Sequence, residues 1–216
     1  MPGMRREDVA RGIGPPRTLD KKEEGGNCLS DWPFRKLKTP RLLLRPIEPG
    51  DAGAYLDIFT DPETLTYWSS ETVRSLDDAA DMVAQDIAWV ERGEALCWGI
   101  ALPENDTLVG KISLYFFDRQ NRRAETGYIL NRSHWGRGLM SEALSTVMEY
   151  AFGELGLHRI EADVDPDHAA SLALLHKFGF VDEGRFRDRW FVHEKWHDSI
   201  MLGLLAQDFR PSESQR

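Results

Sequence analysis

The fold is decided by the stretch Trp135-Gly136-Arg137-Gly138-Leu139-Met140-Ser141, a two-glycine turn that leads directly into an apolar-striped helix. A strand-like run, Glu125-Thr126-Gly127-Tyr128-Ile129-Leu130, precedes it. The two glycines allow backbone amides to turn toward a guest with no side chains in the way. The first amides of the helix lack intrahelical acceptors and lie at the positive end of its dipole. The stretch therefore predicts an anion site, with phosphate as the expected guest.

Composition narrows the class of protein. The 216 residues are 41% hydrophobic and include seven tryptophans, which suits one domain with a substantial core. A net charge of −9 and a pI of about 5.2 argue against direct binding of nucleic acid. The chain lacks an apolar run of about 18 residues and the apolar segment of a signal peptide. We therefore expect a cytoplasmic protein that does not bind membranes.

The chain divides into three parts. Residues 1–36 are rich in glycine, proline and charge and are predicted to be a flexible extension. One domain is expected over residues 37–206, followed by a tail at 207–216. Its hydrophobic periodicity predicts a strand at 39–45, two helices, three antiparallel strands, the glycine turn with its helix, a strand, a short helix and a closing hairpin. No metal site is expected, because the histidines are scattered and the two cysteines stand apart.

Two familiar phosphate sites fit the glycine turn poorly. A Walker loop needs a Gly-Lys-Ser/Thr end, which is missing. A dinucleotide fingerprint fits Gly136-x-Gly138-x-x-Ser141 better, because a strand with Glu161 and Asp163 follows the helix. That fold needs further βα units, however, and the third glycine is absent. The dinucleotide interpretation is therefore disfavoured.

The element order and three sequence words resemble the GNAT superfamily of N-acetyltransferases. The words are Gly127-Tyr128-Ile129-Leu130, Trp135-Gly136-Arg137-Gly138-Leu139-Met140-Ser141-Glu142-Ala143-Leu144, and Ala170-Ser171 followed by Lys177-Phe178-Gly179-Phe180. Within the superfamily the chain is similar to the ribosomal-protein N-terminal acetyltransferase (Rim-type) branch, which its opening at 39–45 also matches. The resemblance implies a single α/β (α+β) GNAT-like domain. Its sheet would be mixed, mostly antiparallel and twisted, with about seven strands, a central splay and about four flanking helices.

The chain departs from the family pattern at a few positions. Trp135 takes the first place of the Gln/Arg-x-x-Gly-x-Gly/Ala pattern, as is common in this branch, and Met140 takes the last. His168 stands where the branch usually has asparagine; its imidazole can still donate a hydrogen bond, but its charge varies with pH. Leu175 occupies the place of a tyrosine that donates a proton in many relatives.

The resemblance implies that acetyl-CoA is the cosubstrate and lies in the splay, with its pyrophosphate on the amides that follow the two glycines. Arg132 and Arg137 are the cations nearest to this site in the sequence. The residues assigned to the cofactor are Tyr128, Ile129, Leu130, Arg132, Trp135, Gly136, Arg137, Gly138, Leu139, Met140, Ser141, His168, Ser171 and Phe178.

Acetyl transfer requires a neutral amine, a stabilised oxyanion and a proton for the leaving thiolate. Glu125 is the predicted base, acting through water; the alternative is a surface carboxylate paired with Arg122 or Arg123. By resemblance, the Leu130 amide is the oxyanion donor. Ser171 either protonates the thiolate or lines the groove for the pantetheine arm.

The acceptor is predicted to be a protein or peptide α-amino group. Its pKa of about 7.7–8.0 suits a weak base, whereas a lysine near 10.4 needs about 4 kcal/mol more. Tyr67 and Trp68 are candidates for the acceptor pocket, with packing in the core as the alternative. Two other functions stay open: acetylation of a small amine (an antibiotic, amino acid or aminoacyl nucleotide), or a non-catalytic acyl-CoA-binding module. A homodimer is compatible with the sequence.

Overall fold

A computed structural model describes residues 34–69, 73–192 and 194–211. Residues 1–33 of the predicted extension and 212–216 of the predicted tail lie outside the described residues. In the described part, an eight-stranded sheet has the order β1-β2-β3-β4-β5-β6-β8-β7. Its strands are β1 Leu37–Lys38, β2 Leu43–Pro46, β3 Ala95–Ala101, β4 Leu108–Asp118, β5 Arg123–Leu130, β6 Arg159–Val164, β7 Val181–Val192 and β8 Lys195–Leu205.

All neighbouring strands pair antiparallel except β5 and β6, which are parallel. The described residues also form four α-helices: α1 Ala52–Phe59, α2 Leu76–Glu91, α3 Leu139–Gly153 and α4 Ala169–Lys177. Ser75 caps α2 by accepting a hydrogen bond from the Asp78 amide at 3.1 Å. The prediction of a mixed, mostly antiparallel sheet with about four helices is confirmed.

The strand predicted at 39–45 is wrong over residues 39–42, and the unpredicted strand β1 before them is the eighth strand. The Thr39 amide donates to Leu42 O at 3.0 Å, and the Leu42 amide donates to Thr39 Oγ1 at 2.8 Å. These bonds close a turn around Pro40, which has no amide proton for a strand ladder. The chain therefore reverses at residues 39–42, and β1 pairs antiparallel with β2.

The splay lies between β5 and β6. Their parallel pairing covers three positions, the last of which joins Glu125 to Glu161. Beyond these positions β5 runs on to Leu130 and β6 to Val164 without pairing to each other. Because α3 follows β5 and α4 follows β6, the open ends of the two strands meet the beginnings of two helices. The predicted central splay is therefore present.

Two cores cover the two faces of the sheet. On one face, α3 and α4 bury a cluster that includes Ile112, Leu114 and Leu144. On the other, α1 and α2 bury a cluster that includes Tyr55, Phe59 and Tyr115. Since side chains alternate along a strand, Tyr115 and its cross-strand partner Glu125 lie on the α1/α2 face.

The α1/α2 face also contains a buried ion pair. Asp86 of α2 is 1% exposed, and Lys111 Nζ of β4 lies 2.6 Å from its Oδ2. The Tyr55 hydroxyl donates to the same oxygen at 2.6 Å. Lys111 also lies over the rings of Tyr55 and Phe59. The Asp86 carboxylate is therefore paired with a cation and a hydroxyl within the core.

The chain packs onto the domain beyond β8. Phe209 lies 5.5 Å from Phe152 and 6.3 Å from Phe178 between ring centroids. The Arg210 amide donates to Phe178 O at 3.1 Å. At the other end, Phe34 stacks on Trp98 at 5.2 Å. Among the described residues, no helix is both long and apolar enough to cross a membrane.

Candidate active site

The glycine turn adopts the conformation that its sequence predicts. Gly136 and Gly138 have φ values of 71° and 74°, in the left-handed region that other residues rarely occupy. Gly138 is the N-cap of α3 and has no side chain with which to cap it. The Glu142 amide donates to Gly138 O at 3.1 Å. The three preceding amides, of Leu139, Met140 and Ser141, therefore have no acceptor within the helix.

A buried carboxylate fixes the turn to the start of the domain. Glu142, 8% exposed, accepts hydrogen bonds from Arg41 Nε at 2.7 Å, from the Arg41 amide at 3.0 Å and from the Thr39 hydroxyl. Arg41 Nη1 in turn donates to Arg137 O at 2.8 Å. Thr39 and Arg41, near the start of the domain, therefore anchor the glycine turn. Sequence analysis missed this role, because the partners are about a hundred residues apart.

Cations stand beside the turn. Arg137 is exposed within it, and Lys177 of α4 donates from Nζ to Ser141 Oγ at 3.1 Å. Arg132 instead pairs with Glu63 at 3.0 Å, between two exposed side chains. Free amides, a positive helix end and two nearby cations fit a pyrophosphate. Sequence analysis does not identify Lys177 as a cation beside the turn.

Tyr128 and Ser171 meet across the splay. The Tyr128 hydroxyl of β5 and the Ser171 hydroxyl of α4 are 2.9 Å apart, and burial raises the pKa of Tyr128 to about 12. Leu175, in the place of the family tyrosine, is fully buried in the core. Tyr128 and Ser171 are therefore the hydroxyl groups that the structure places at this edge of the splay.

His168 brings the predicted cofactor and acceptor residues together. Its ring stacks on Tyr67 with centroids 4.4 Å apart and planes 17° apart. Burial lowers the pKa of His168 from its ordinary value, so its neutral form is favoured at neutral pH. A neutral imidazole retains one N–H donor, as a substitute for asparagine requires.

Several predicted residues contribute packing. Trp135 Nε1 donates to Leu130 O at 2.8 Å and so ties the turn to the end of β5. The side chains of Ile129, Leu130 and Leu139 are buried in the two cores. Phe178 is fully buried and its ring stacks with Phe209. The structure does not bring Phe178 to the surface of the splay.

A pocket on the α1/α2 face opens beside Glu125. We call it the Glu125 pocket; its walls include Tyr67, Trp68, Tyr115, Glu125, Asp163 and Trp190. The loop after α1, strands β4 to β6 and the β7–β8 hairpin all contribute to it. β4 bulges between Tyr115 and Asp118, where Phe116 has a φ of 52°. The predicted residues Tyr67 and Trp68 therefore lie in one pocket with the predicted base.

The surroundings of Glu125 disfavour its ionised form. Burial raises its pKa to about 7, and the negative charges of Asp163 and Glu161 raise it too, while a hydrogen bond from Tyr115 at 3.2 Å opposes them. Among the described residues none forms a salt bridge with it, and Arg123 pairs with Asp118 and Glu161 instead. The alternative of a surface carboxylate paired with Arg122 or Arg123 is therefore not what the described residues show.

The family is identified by a sequence pattern. The pattern of the acetyltransferase (GNAT) domain matches residues 41–181, from the turn at Arg41 to the start of β7. The chain belongs to the GNAT acetyltransferase family. The region that matches includes the glycine turn, the splay and Glu125, whereas Trp190 and the rest of the β7–β8 hairpin wall of the Glu125 pocket lie beyond it.

Relatives within the GNAT family differ in how their acceptors are described. The chain is 35% identical over 173 residues to the uncharacterized N-acetyltransferase p20 of Bacillus licheniformis, covering 80% of this chain and 97% of that protein. It is 31% identical to the putative ribosomal N-acetyltransferase YdaF of Bacillus subtilis, over 78% and 93% of the two chains. It is 24% identical to the spermidine N(1)-acetyltransferase of Vibrio cholerae, over 78% and 95%.

One solved structure that is similar to this chain contains a CoA compound. Mycobacterium smegmatis RimJ in complex with CoA-disulfide has a TM-score of 0.71 and 26% identity, over 80% of this chain and 86% of that one. The protein is thus a GNAT N-acetyltransferase, which is an acyltransferase. At least one of the solved structures similar to it is a complex with a CoA compound. The resemblance inferred from three sequence words is confirmed.

The alternation along β6 is the signal that could have extended the site prediction. Glu161 and Asp163 share one face of β6, and Asp165 continues the pattern of every second position just past the end of that strand. Asp165 lies in the wall of the Glu125 pocket, as does His197 of β8. Sequence analysis used Glu161 and Asp163 only for the disfavoured dinucleotide site. It missed Asp165, His197 and Trp190 as pocket residues.

Proposed function

We propose that this enzyme transfers the acetyl group of acetyl-CoA to the α-amino group of a protein or peptide, with Glu125 as the base acting through water. The observation that supports this proposal best is the pKa of Glu125, raised to about 7 in a pocket beside the splay. A base whose pKa lies near the working pH accepts a proton readily and is also ionised in a useful fraction of molecules.

The pKa of the base favours an α-amine over a lysine. An α-amino group titrates near 7.7–8.0, about one unit above this carboxyl, so moving its proton to Glu125 costs about 1–1.5 kcal/mol. A lysine near 10.4 would cost more than about 4 kcal/mol for the same transfer. Glu125 is thus matched to the weaker base of the two amines.

The cosubstrate would lie along the splay with its pyrophosphate at the start of α3. The amides of Leu139, Met140 and Ser141 would hold the phosphate oxygens, and Arg137 and Lys177 would supply positive charge. The Leu130 amide would donate to the carbonyl oxygen as it becomes an oxyanion. The free amides and the nearby cations support this placement.

Bond changes in the reaction then follow. The ammonium group loses a proton to Glu125 through water, and the neutral nitrogen attacks the thioester carbon. The C–S bond breaks, the nitrogen loses its second proton to solvent, and the CoA thiolate takes one from Ser171. The Tyr128 hydroxyl lies 2.9 Å away and its raised pKa keeps it protonated at rest; it would return a proton to Ser171, and solvent would then reprotonate Tyr128.

An acceptor panel tests the function. Thiol release from acetyl-CoA is followed with N-terminal peptides, their Nα-blocked lysine-containing counterparts, and small amines that include aminoglycosides, amino acids and polyamines. We expect turnover on free N-termini and none on the blocked peptides. Turnover on small amines alone would overturn the proposed acceptor. Binding of acetyl-CoA with no turnover on any amine would instead favour the non-catalytic module.

Replacement of the base tests the mechanism. Glu125→Gln keeps the shape of the side chain but cannot accept a proton, so kcat should fall about 100-fold. The Kd for CoA, measured by calorimetry, should stay within about threefold, because Glu125 lies on the acceptor side of the splay. Glu104→Gln, in an exposed turn, is the matched control. Unchanged turnover in Glu125→Gln would remove Glu125 from the mechanism.

A further inference from the structure

Asp163 is a second carboxylate in the Glu125 pocket. It lies on β6 two residues beyond Glu161, the cross-strand partner of Glu125, where pairing between β5 and β6 has ended. Residues two apart on a strand share a face, so Asp163 faces the same side as Glu125 at the mouth of the splay. Its side chain is 8% exposed. It is therefore a largely buried charge beside the predicted reaction centre.

The protein compensates this charge only in part. Arg189 Nε lies 3.4 Å from Asp163 Oδ2, and that arginine side chain is itself half exposed. Trp190 Nε1 lies 3.3 Å from Oδ1. Both distances are longer than a strong charge-assisted hydrogen bond, which is about 2.7–2.9 Å. A cation that approaches a buried carboxylate with weak partners therefore stabilises it.

Further groups in the pocket favour a cationic organic ligand. Asp165 has His197 Nδ1 at 3.4 Å, a partner that is charged only when protonated. Trp68 is 7% exposed, and its indole Nε1 has no hydrogen-bond partner among the described residues. In the same part of the chain, no group of three or more His, Cys, Asp or Glu side chains is arranged to hold a metal ion. Carboxylates beside aromatic rings suit an ammonium or guanidinium group.

We propose that Asp163, assisted by Asp165, binds a second positive charge of the acceptor, next to the amine that Glu125 deprotonates. The proposal rests on the proposed function and narrows its acceptor class. A peptide acceptor would carry lysine or arginine directly after its N-terminal residue. A small acceptor with the same chemistry would be a diamine or polyamine. One carboxylate then receives the proton, and its neighbour holds the charge that orients the substrate.

The experiment compares two peptides that differ in one charge. Both begin with the same residue; the second residue is lysine in one and norleucine in the other, which keeps the length of the side chain. We expect the enzyme to favour the lysine peptide about tenfold or more in KM. In Asp163→Asn the preference should fall to about twofold or less, while turnover of the norleucine peptide persists. Spermidine and a monoamine of similar length form a second arm.

Controls separate recognition from other effects of the substitution. Asp163→Asn also removes a charge that raises the pKa of Glu125, so rates are compared at about pH 8.5, above that titration in both proteins. Tyr115, Glu161, Asp163 and Arg189 act on the pKa of Glu125, and the same pocket also contains the titratable side chains of Asp165 and His197. Glu154→Gln, which removes an exposed carboxylate at the end of α3, should leave the preference unchanged. Asp165→Asn gives a second test if Asp163→Asn folds poorly.

The outcomes distinguish this inference from the proposed function. Peptides acetylated with no preference for the lysine form would overturn the inference and leave the function standing. A preference that survives in both Asp163→Asn and Asp165→Asn would overturn it as well. Spermidine acetylated while both peptides are inert would support the second charge and overturn the peptide acceptor. Absence of turnover on every amine would overturn both.

Discussion

Asp86 and Glu125 are two largely buried carboxylates on the same face of the sheet, and β4 supplies a partner to each. Lys111 Nζ and the Tyr55 hydroxyl both lie 2.6 Å from Asp86 Oδ2. Among the described residues, Glu125 accepts a hydrogen bond from the Tyr115 hydroxyl at 3.2 Å and has no salt bridge, and the negative charge of Asp163 acts on it. The first is covered by α1 and α2, and the second lies in an open pocket. Partners, more than depth, separate a carboxylate that holds the fold from one prepared to exchange a proton.

The largest expected effect is on stability and tests the ion pair of Asp86. Lys111→Met leaves Asp86 buried without its counter-charge and should lower the free energy of unfolding by about 3–5 kcal/mol. Denaturant titration at neutral pH measures this change. Lys36→Met, at an exposed position, should alter stability by less than about 0.5 kcal/mol. A loss below about 1 kcal/mol in Lys111→Met would show that the ion pair contributes little.

Glu125 should show the opposite behaviour. Its pKa rises from 4.5 to about 7 on folding, so folding favours its protonated form. That contribution to stability is complete below pH 4.5 and is lost as the pH rises through about 7. Glu125→Gln has no proton to lose, and so it should match the wild type at about pH 4 and exceed its stability by up to about 3 kcal/mol at pH 8.5.

Denaturant titrations of both proteins across this pH range measure the difference. Glu104→Gln, exposed in the turn between β3 and β4, serves as the control and should run parallel to the wild type. A stability difference that does not change with pH would mean that Glu125 titrates normally. The comparison with Asp86 would then lose its basis, because folding would leave the pKa of Glu125 where it is in the unfolded chain.

What the sequence predicts well is local along the chain. The left-handed glycines, the free amides of α3 and the position of Glu125 on β5 all follow from neighbours within about a turn or a strand. Residues 39–42 are predicted as strand but form a turn. The turn forms because the bond from the Leu42 amide to Thr39 Oγ1 competes with the hydrogen bonds of a strand ladder.

The environment of Glu125 could not be predicted in the same way. Asp163 reaches the pocket from β6 and Trp190 from the closing hairpin, so both depend on the strand order β5-β6-β8-β7. Likewise, the clamp of Arg41 on Glu142 joins residues 101 positions apart. The pattern of apolar residues within a strand does not determine which other strand it pairs with. The family resemblance implies a mixed, mostly antiparallel sheet with a splay, whereas the strand order and the side-chain contacts come from the structure.

The smallest expected effect compares the two tyrosines that donate to these carboxylates. Tyr115→Phe removes the hydrogen bond that lowers the pKa of Glu125, so that pKa should rise. Since the base must be ionised to accept a proton, the acidic limb of kcat/KM should move to higher pH, and activity near neutrality should fall by less than about tenfold. Tyr55→Phe removes the matching bond to Asp86; it should cost about 1–2 kcal/mol of stability and leave the acidic limb in place. If both variants moved the limb equally, the two carboxylates would be coupled, and Asp86 would belong to the catalytic environment rather than to the core alone.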